Sequence, residues 1–294
     1  MFKPISQQEL TQFSQDGFFV RENALSKDTV DMARERFEKL FDGQFATGLV
    51  PDEVNWQAGR DANDVTRQLC NAWKADPKLA QILLSQSLGQ ACASLMDWPG
   101  TRLNQDNIFW KPPGGKALGF HQDSSYEQWV VPHEMVSCWI ALDDTFATGG
   151  TVEYVRGSHL WPLDSMIDTF HAPDDPLLEM RQAAEREGIA EPEIVPIEVP
   201  AGGCVFHHGH TWHGSRANQR DTSRRSIVAH CMSSDSRFSE TNTGAIYSRY
   251  QRFGDTGMEE SFFPILWRRD GYRSTFLEDY LSGKIGWGGV KPQH

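Results

Sequence analysis

His121 and Asp123, with His213 about ninety positions later, restrict this chain more than anything else in it. If residues 120–124 are extended, side chains two apart leave the same face of a strand, so an imidazole and a carboxylate converge. A hydrogen-bonded turn is the other reading of this tripeptide. With ten histidines and forty acidic residues in the chain, His-x-Asp can also arise by chance. One more imidazole would complete a 2-His-1-carboxylate set, the ligand pattern of non-haem Fe(II) oxygenases, which leaves coordination positions open. The fold must then bring two distant segments to one point, as neighbouring strands at the mouth of a barrel do without strain.

Four histidines, His207, His208, His210 and His213, crowd into one short stretch. His213 heads the run His213-Gly214-Ser215-Arg216-Ala217-Asn218, and Arg224 lies eleven residues beyond it. One β-hairpin would then offer a ligand on its first strand and a guanidinium on its return strand. A 2-oxoglutarate site needs that pair: the metal chelates the 1-carboxylate and the 2-keto oxygen, and a deep arginine holds the distal carboxylate bidentately. Arg225 points to the opposite face, so only one of the two arginines can serve. His207, His208 and His210 read as solvent-facing or hydrogen-bonded loop residues.

These residues resemble the phytanoyl-CoA dioxygenase family of Fe(II)/2-oxoglutarate-dependent oxygenases. The resemblance rests on His121-x-Asp123, Trp139 in a strand, and His213-Gly214-Ser215-x-x-Asn218 followed by Arg224. Leu10-x-x-Phe13-x-x-Asp16-Gly17-Phe18 and the segment from Gly149 to His159 support it, so that it spans residues 6 to about 232. Arg156 departs from the family, which usually has proline there. The last sixty or so residues match nothing in the pattern. The resemblance implies Fe(II) on His121, Asp123 and His213, 2-oxoglutarate on Arg224 with Ser215 as hydrogen-bond donor, and Trp139 beside it. Gln105 is expected to line the cosubstrate pocket.

Composition bounds the partners. A net charge of −12 with no basic run makes nucleic acid and anionic membrane poor partners. No apolar stretch is long enough to span a bilayer, and Met1-Phe2-Lys3-Pro4 has no signal-peptide core. The five cysteines are scattered, odd in number and without CxxC, so a reduced, cytoplasmic chain is expected.

The expected fold class is mainly β with flanking α: a double-stranded β-helix, or jelly roll, cupin-like, with N-terminal helices packed on it. The whole chain, 1–294, reads as one dioxygenase domain. Residues 1–100 form helical support, 101–232 the jelly-roll core with an insertion at about 160–192, and 233–294 a C-terminal extension. Ser6 with Glu9 forms a capping box, Ser26 caps a second helix, residues 43–65 are loop, and a third helical region breaks near Pro77 and runs to Met96. Along the first barrel strand Leu103, Gln105, Asn107 and Phe109 alternate with Asn104, Asp106, Ile108 and Trp110. Residues 135–142 form a strand with Val136, Cys138, Ile140 and Leu142 on one face and Ser137, Trp139 and Ala141 on the other. The insertion is acidic, with a helix over 175–187, and is expected to be a lid or substrate loop. Residues 226–231 are the return strand, and His230 reads as a core residue. The C-terminal extension wraps the barrel, covers the site or mediates self-association as a homodimer; sequence leaves all three open.

The implied activity uses dioxygen and 2-oxoglutarate to hydroxylate an unactivated C–H bond of a small organic molecule, such as a natural-product intermediate, lipid or amino-acid derivative, releasing succinate and CO2. Desaturation or cyclisation can come from the same chemistry. Asp123 fills the position that a halogenase of this type leaves for chloride, which favours hydroxylation. Trp110, Tyr126, Trp129, Trp161 and Trp212 are candidates for an aromatic pocket, with ordinary packing the plainer reading. No basic cluster for a coenzyme A phosphate is visible. The rival classes are a non-catalytic metal-binding jelly roll and a zinc hydrolase on the same barrel; Arg224 counts against the first.

Overall fold

The structure, a computed structural model, describes residues 2–289. Helix α1 (Gln7–Asp16) opens with the expected capping box: the Glu9 amide donates to Ser6 Oγ, and Glu9 Oε2 accepts from the Ser6 amide at 2.8 Å. Gly17 ends it in the left-handed conformation at φ 81°. Strand β1 (Phe18–Arg21) and helix α2 (Lys27–Phe41) follow, with Ser26 capping α2 and Val30, Ala33, Phe37 and Phe41 buried. The expected loop over 43–65 contains a short strand, β2 (Glu53–Val54), which pairs with the unforeseen strand β3 (Arg67–Cys70). The third helical region is three pieces, α3 (Ala72–Ala75), α4 (Pro77–Leu83) and α5 (Gln86–Met96). The first break is chemical: Pro77 lacks an amide proton, and the Asp76 carboxylate caps the amides of Lys78 and Leu79.

The barrel strands are β4 (Gly100–Lys111), β5 (Leu118–His121), β6 (Val130–Val131), β7 (Val136–Ala141), β8 (Glu153–Val155), β9 (Ile194–Pro196), β10 (Cys204–His208), β11 (His213–Ser215) and β12 (Arg224–Ser233). Helix α6 (Leu178–Arg186) lies in the insertion, and β13 (Arg237–Phe238), β14 (Ile265–Arg268) and α7 (Leu277–Leu281) lie in the C-terminal segment. The larger sheet has the order β1-β10-β7-β12-β4-β3-β2, with β14 also on β4; the smaller has the order β5-β11-β8-β9. The strand pairings of both sheets are antiparallel, as in a jelly roll.

Alternation sorts the larger sheet into two chemistries. Val136, Cys138 and Ile140, with Cys204, Phe206, Ile227 and Ala229, pack under the helices in the main core. Ser137, Trp139, His207, Val228 and His230 face the barrel interior, and Trp139 and Val228 join a small core there with Val205 and Tyr154. Strict alternation would put Leu103 inside with Gln105. It does not, because the register slips between Gln105↔His230 and Leu103↔Cys231; Asn104 is an extra residue, and Leu103 turns into the helix-side core.

His213 and Arg224 do not share a hairpin. Strand β11 pairs with β5 and β8 in the smaller sheet, and β12 pairs with β4 and β7 in the larger. The chain crosses between sheets, so ligand and guanidinium approach one cavity from opposite walls.

The insertion packs over that cavity: Phe170 meets the His121 ring edge-on at 5.0 Å, and Met166 lines the space. The C-terminal segment does two of the three things left open. Strand β14 extends the sheet beside β4, and Tyr247 covers the cavity, stacked on Trp129 at 4.8 Å. All five cysteines are free and buried. Among the described residues no helix is long and apolar enough to cross a membrane.

Candidate metal centre and anion pocket

His121 and His213 are register partners on β5 and β11, which sets their rings 4.3 Å apart between centroids. Strand β5 ends at His121, and Asp123 opens a 3-10 turn, Asp123–Tyr126, so the His-x-Asp pair is half strand and half turn. The turn brings Asp123 Oδ1 to 3.3 Å from His121 Nε2 and 3.4 Å from His213 Nε2. Ligand atoms of the three residues all lie within 4.8 Å of one another, and all three are buried.

Both imidazoles are oriented by backbone. His121 Nδ1 donates to Gly119 O at 3.0 Å and His213 Nδ1 to Thr211 O at 2.9 Å, which leaves each Nε2 lone pair aimed at the centre. Burial holds the His213 pKa well below its usual value, so it stays neutral and able to ligate. For Asp123, burial pulls the pKa up, but its polar surroundings, the His207 hydrogen bond and the charge of His230 among them, hold it well below the usual carboxylate range.

The far oxygen of Asp123 is fully occupied. Oδ2 accepts from Ser137 Oγ at 2.7 Å and from His207 Nε2 at 2.9 Å, and His230 Nδ1 lies 3.3 Å away. His207 accepts in turn from the Tyr154 hydroxyl at 2.9 Å, and His230 is bridged to Ser137 Oγ at 2.8 Å and to Asn107 at 3.0 Å. One carboxylate oxygen is thus left for a metal. The expectation that His207 is solvent-facing or in a loop is corrected: it lies on strand β10, 1% exposed, facing inward in register with Ser137. His208 is partly buried at the end of that strand and His210 is partly buried in the turn beyond, and neither reaches the triad. His230 is a buried core histidine as expected, and it also touches the support of Asp123.

Arg224 reaches the same cavity from the other wall. It is 4% exposed, with Nη1 donating to Ser226 Oγ at 2.8 Å and Nη2 to Gly150 O at 2.9 Å. Its Nε is buried with no partner, and no carboxylate of the described residues pairs with it. Burial depresses its pKa to about 10. Arg225 faces the helices and is satisfied by a bidentate pair with Asp143 at 2.9 and 3.0 Å. Trp139 stands beside Arg224, ring centroid 5.8 Å from the guanidinium carbon.

Lys111 is the residue that sequence reading missed. It pairs with Arg224 across β4 and β12, is fully buried, and donates to Ser215 Oγ at 2.7 Å and Arg216 O at 2.6 Å. The Ser215 hydroxyl accepts from the lysine and keeps its own proton to donate elsewhere. Burial, and then repulsion from Arg224, hold the Lys111 pKa well below the usual amine value. The signal was present: Lys111 continues the inward face of Gln105, Asn107 and Phe109. Gln105 lines the cavity, but six positions along the strand from Lys111, roughly 20 Å at 3.3 Å per residue. Its amide is engaged by Tyr247 and, at 3.4 Å, by Glu127.

Two imidazoles and one free carboxylate oxygen on one face suit Fe(II) with open positions, and a buried guanidinium without an anion suits the distal carboxylate of 2-oxoglutarate. The cavity joining them is about 810 Å3. Of the five aromatics considered for its wall, Tyr126 and Trp129 line it. Trp110 faces the helix side, and Trp161 and Trp212 pack in the core beneath the insertion. Arg156, where the family has proline, ties its turn to Asp16 and to Glu193 at 3.0 Å.

The profile of the phytanoyl-CoA dioxygenase family matches residues 13–226. Multifunctional dioxygenase prhA of Penicillium brasilianum is 25% identical over 228 residues, 74% of this chain and 68% of its own. Phytanoyl-CoA dioxygenase domain-containing protein 1 of Danio rerio is 21% identical over 269 residues, 79% of this chain and 91% of its own. Among solved structures, the non-haem α-ketoglutarate-dependent carbocyclase SnoK from nogalamycin biosynthesis superposes with a TM-score of 0.68 at 22% identity, covering 89% of this chain and 96% of that one. The epimerase SnoN, in complex with Fe3+, α-ketoglutarate and nogalamycin RO, gives 0.67 at 19% identity, over 88% and 98%. The chain belongs to the phytanoyl-CoA dioxygenase family and is a 2-oxoglutarate-dependent non-haem iron oxygenase.

Proposed function

We propose that this enzyme hydroxylates an unactivated C–H bond of a free small organic molecule, with iron held by His121, Asp123 and His213. Arg224 holds the distal carboxylate of 2-oxoglutarate, Ser215 donates to it, Lys111 adds a second positive charge, and Trp139 forms the side wall. The observation that carries this reading is the unpaired buried guanidinium of Arg224 on the wall of the cavity that contains the triad. A structural metal site has no use for it. When bound, the iron with dioxygen supplies the oxidising chemistry that couples 2-oxoglutarate decarboxylation to substrate oxidation. The protein's own part is to fix both imidazole tautomers, to leave one Asp123 oxygen facing the metal, and to exclude water with Phe170 and Tyr247.

A free substrate is favoured over a coenzyme A thioester because Arg224 is the one arginine or lysine among the described residues that line the cavity. Gln105 belongs to the substrate half of the cavity rather than to the cosubstrate half. The test starts anaerobically: Fe(II) and then 2-oxoglutarate are added to metal-free protein, and the weak visible charge-transfer band of the chelate is followed. Succinate release then screens substrates, and product mass separates addition of one oxygen from loss of two hydrogens. Tight zinc binding with no band overturns the reading.

A further inference from the structure

The two ends of the cavity are opposite in charge. Arg224 lies at one, and at the other Glu127 is 3% exposed and lines the space without an arginine or lysine partner among the described residues. Its Oε2 accepts from Asn104 Nδ2 at 2.9 Å, and its Oε1 receives a long contact of 3.4 Å from Gln105 Nε2. Trp129 also hydrogen-bonds to it and His230 acts on its charge, so only part of the roughly four acceptor sites of the carboxylate remains open to a ligand. Burial pushes its pKa up to about 7, outweighing the hydrogen bonds from Asn104 and Trp129 and the nearby His230, which favour the charged form. Glu53, partly exposed, is a second carboxylate on the same wall.

We propose that the substrate carries a cationic nitrogen, a protonated or quaternary amine, that seats against Glu127 in the substrate half of this cavity. The inference rests on the oxygenase reading above for which half is which. Asp123 opens the 3-10 turn and Glu127 follows its end, four residues on and about 8 Å along such a helix. The oxidised carbon therefore lies within a few bonds of the nitrogen. Tyr126 and Phe170, which border the cavity beside His121, present ring faces and edges to the carbon skeleton.

The test compares three probes of one shape on the full chain loaded anaerobically with Fe(II) and 2-oxoglutarate: phenethylamine, phenethyl alcohol and phenylacetate, by calorimetric titration up to about 10 mM. The amine is expected to bind about ten-fold or more tighter than the alcohol, and the acid weakest. Glu127→Gln, which keeps shape and one acceptor oxygen but removes the charge, should abolish the amine preference while 2-oxoglutarate binding is unchanged. Equal affinity for the three, including no measurable binding of any, or a preference for alcohol or acid, overturns the proposal, and this ranking needs no variant. So does an amine preference that survives Glu127→Gln, since it would come from the acidic surface. Loss of 2-oxoglutarate binding in the wild type would instead overturn the oxygenase reading, so the two failures are distinguishable.

Discussion

Lys111 and Arg224 are register partners on β4 and β12, and both side chains are buried inside the barrel. The carboxylate acting on Lys111 is that of Glu153, which is itself paired with Arg216 at 3.3 Å. Two cations held this close without matching anions destabilise the empty protein and favour an anionic ligand.

Arg224→Leu should therefore weaken 2-oxoglutarate binding about 100-fold or more, the usual cost of truncating a buried charge partner being about 2–5 kcal/mol. Fe(II) affinity should not change, and the empty protein should melt no lower than wild type. Titration of the charge-transfer band and calorimetry check both halves. Undiminished 2-oxoglutarate affinity would remove Arg224 from the site.

Lys111→Met should show its effect through pH. The folded-state pKa of Lys111 is depressed below the unfolded value near 10.5, so the folded state binds fewer protons, and the penalty is present below the folded pKa and gone above 10.5. The variant lacks that penalty. Its stability relative to wild type should be most favourable near neutral pH and should decline as pH rises toward 10.5. Paired melting curves across that range decide it; parallel curves would mean that burial does not depress the Lys111 pKa.

Asp123 depends on its neighbours to present one oxygen. Ser137→Ala or His207→Phe should each lower Fe(II) affinity about 10–100-fold with the three ligands intact, as loss of outer hydrogen-bond partners does. The readout is competition with a metal indicator, and wild-type affinity in both variants would sink the role given to Oδ2.

Gly214 lies against Phe120, and an added Cβ would sit 2.9 Å from Phe120 Cα and 2.5 Å from its ring. Backbone cannot yield as a side-chain tip can, so Gly214→Ala should push β11 off β5 and part His213 from His121. A fall in metal affinity of at least about ten-fold, with secondary structure retained by circular dichroism, is the expected result.

Much of this site was legible from local pattern. The period-two alternation of a strand put Arg224 and Arg225 on opposite faces, and Trp139 with Ser137 on one face, because the alternation of side chains is a property of the strand alone. The caps of α1 and α2 were legible for the same reason: Ser6, Glu9 and Ser26 act within one helical turn.

What the sequence determined by itself was the set of groups proposed for the metal and the cosubstrate: His121, Asp123, His213 and Arg224. The tertiary structure decided how they meet. That β11 and β12 lie in different sheets, that the Asn104 bulge turns Leu103 outward, that His207 holds Asp123, and that Gln105 and Glu127 lie far from Arg224 all depend on register and on contacts between distant segments. Those are fixed by the packing of whole sheets, and no short stretch of sequence carries them.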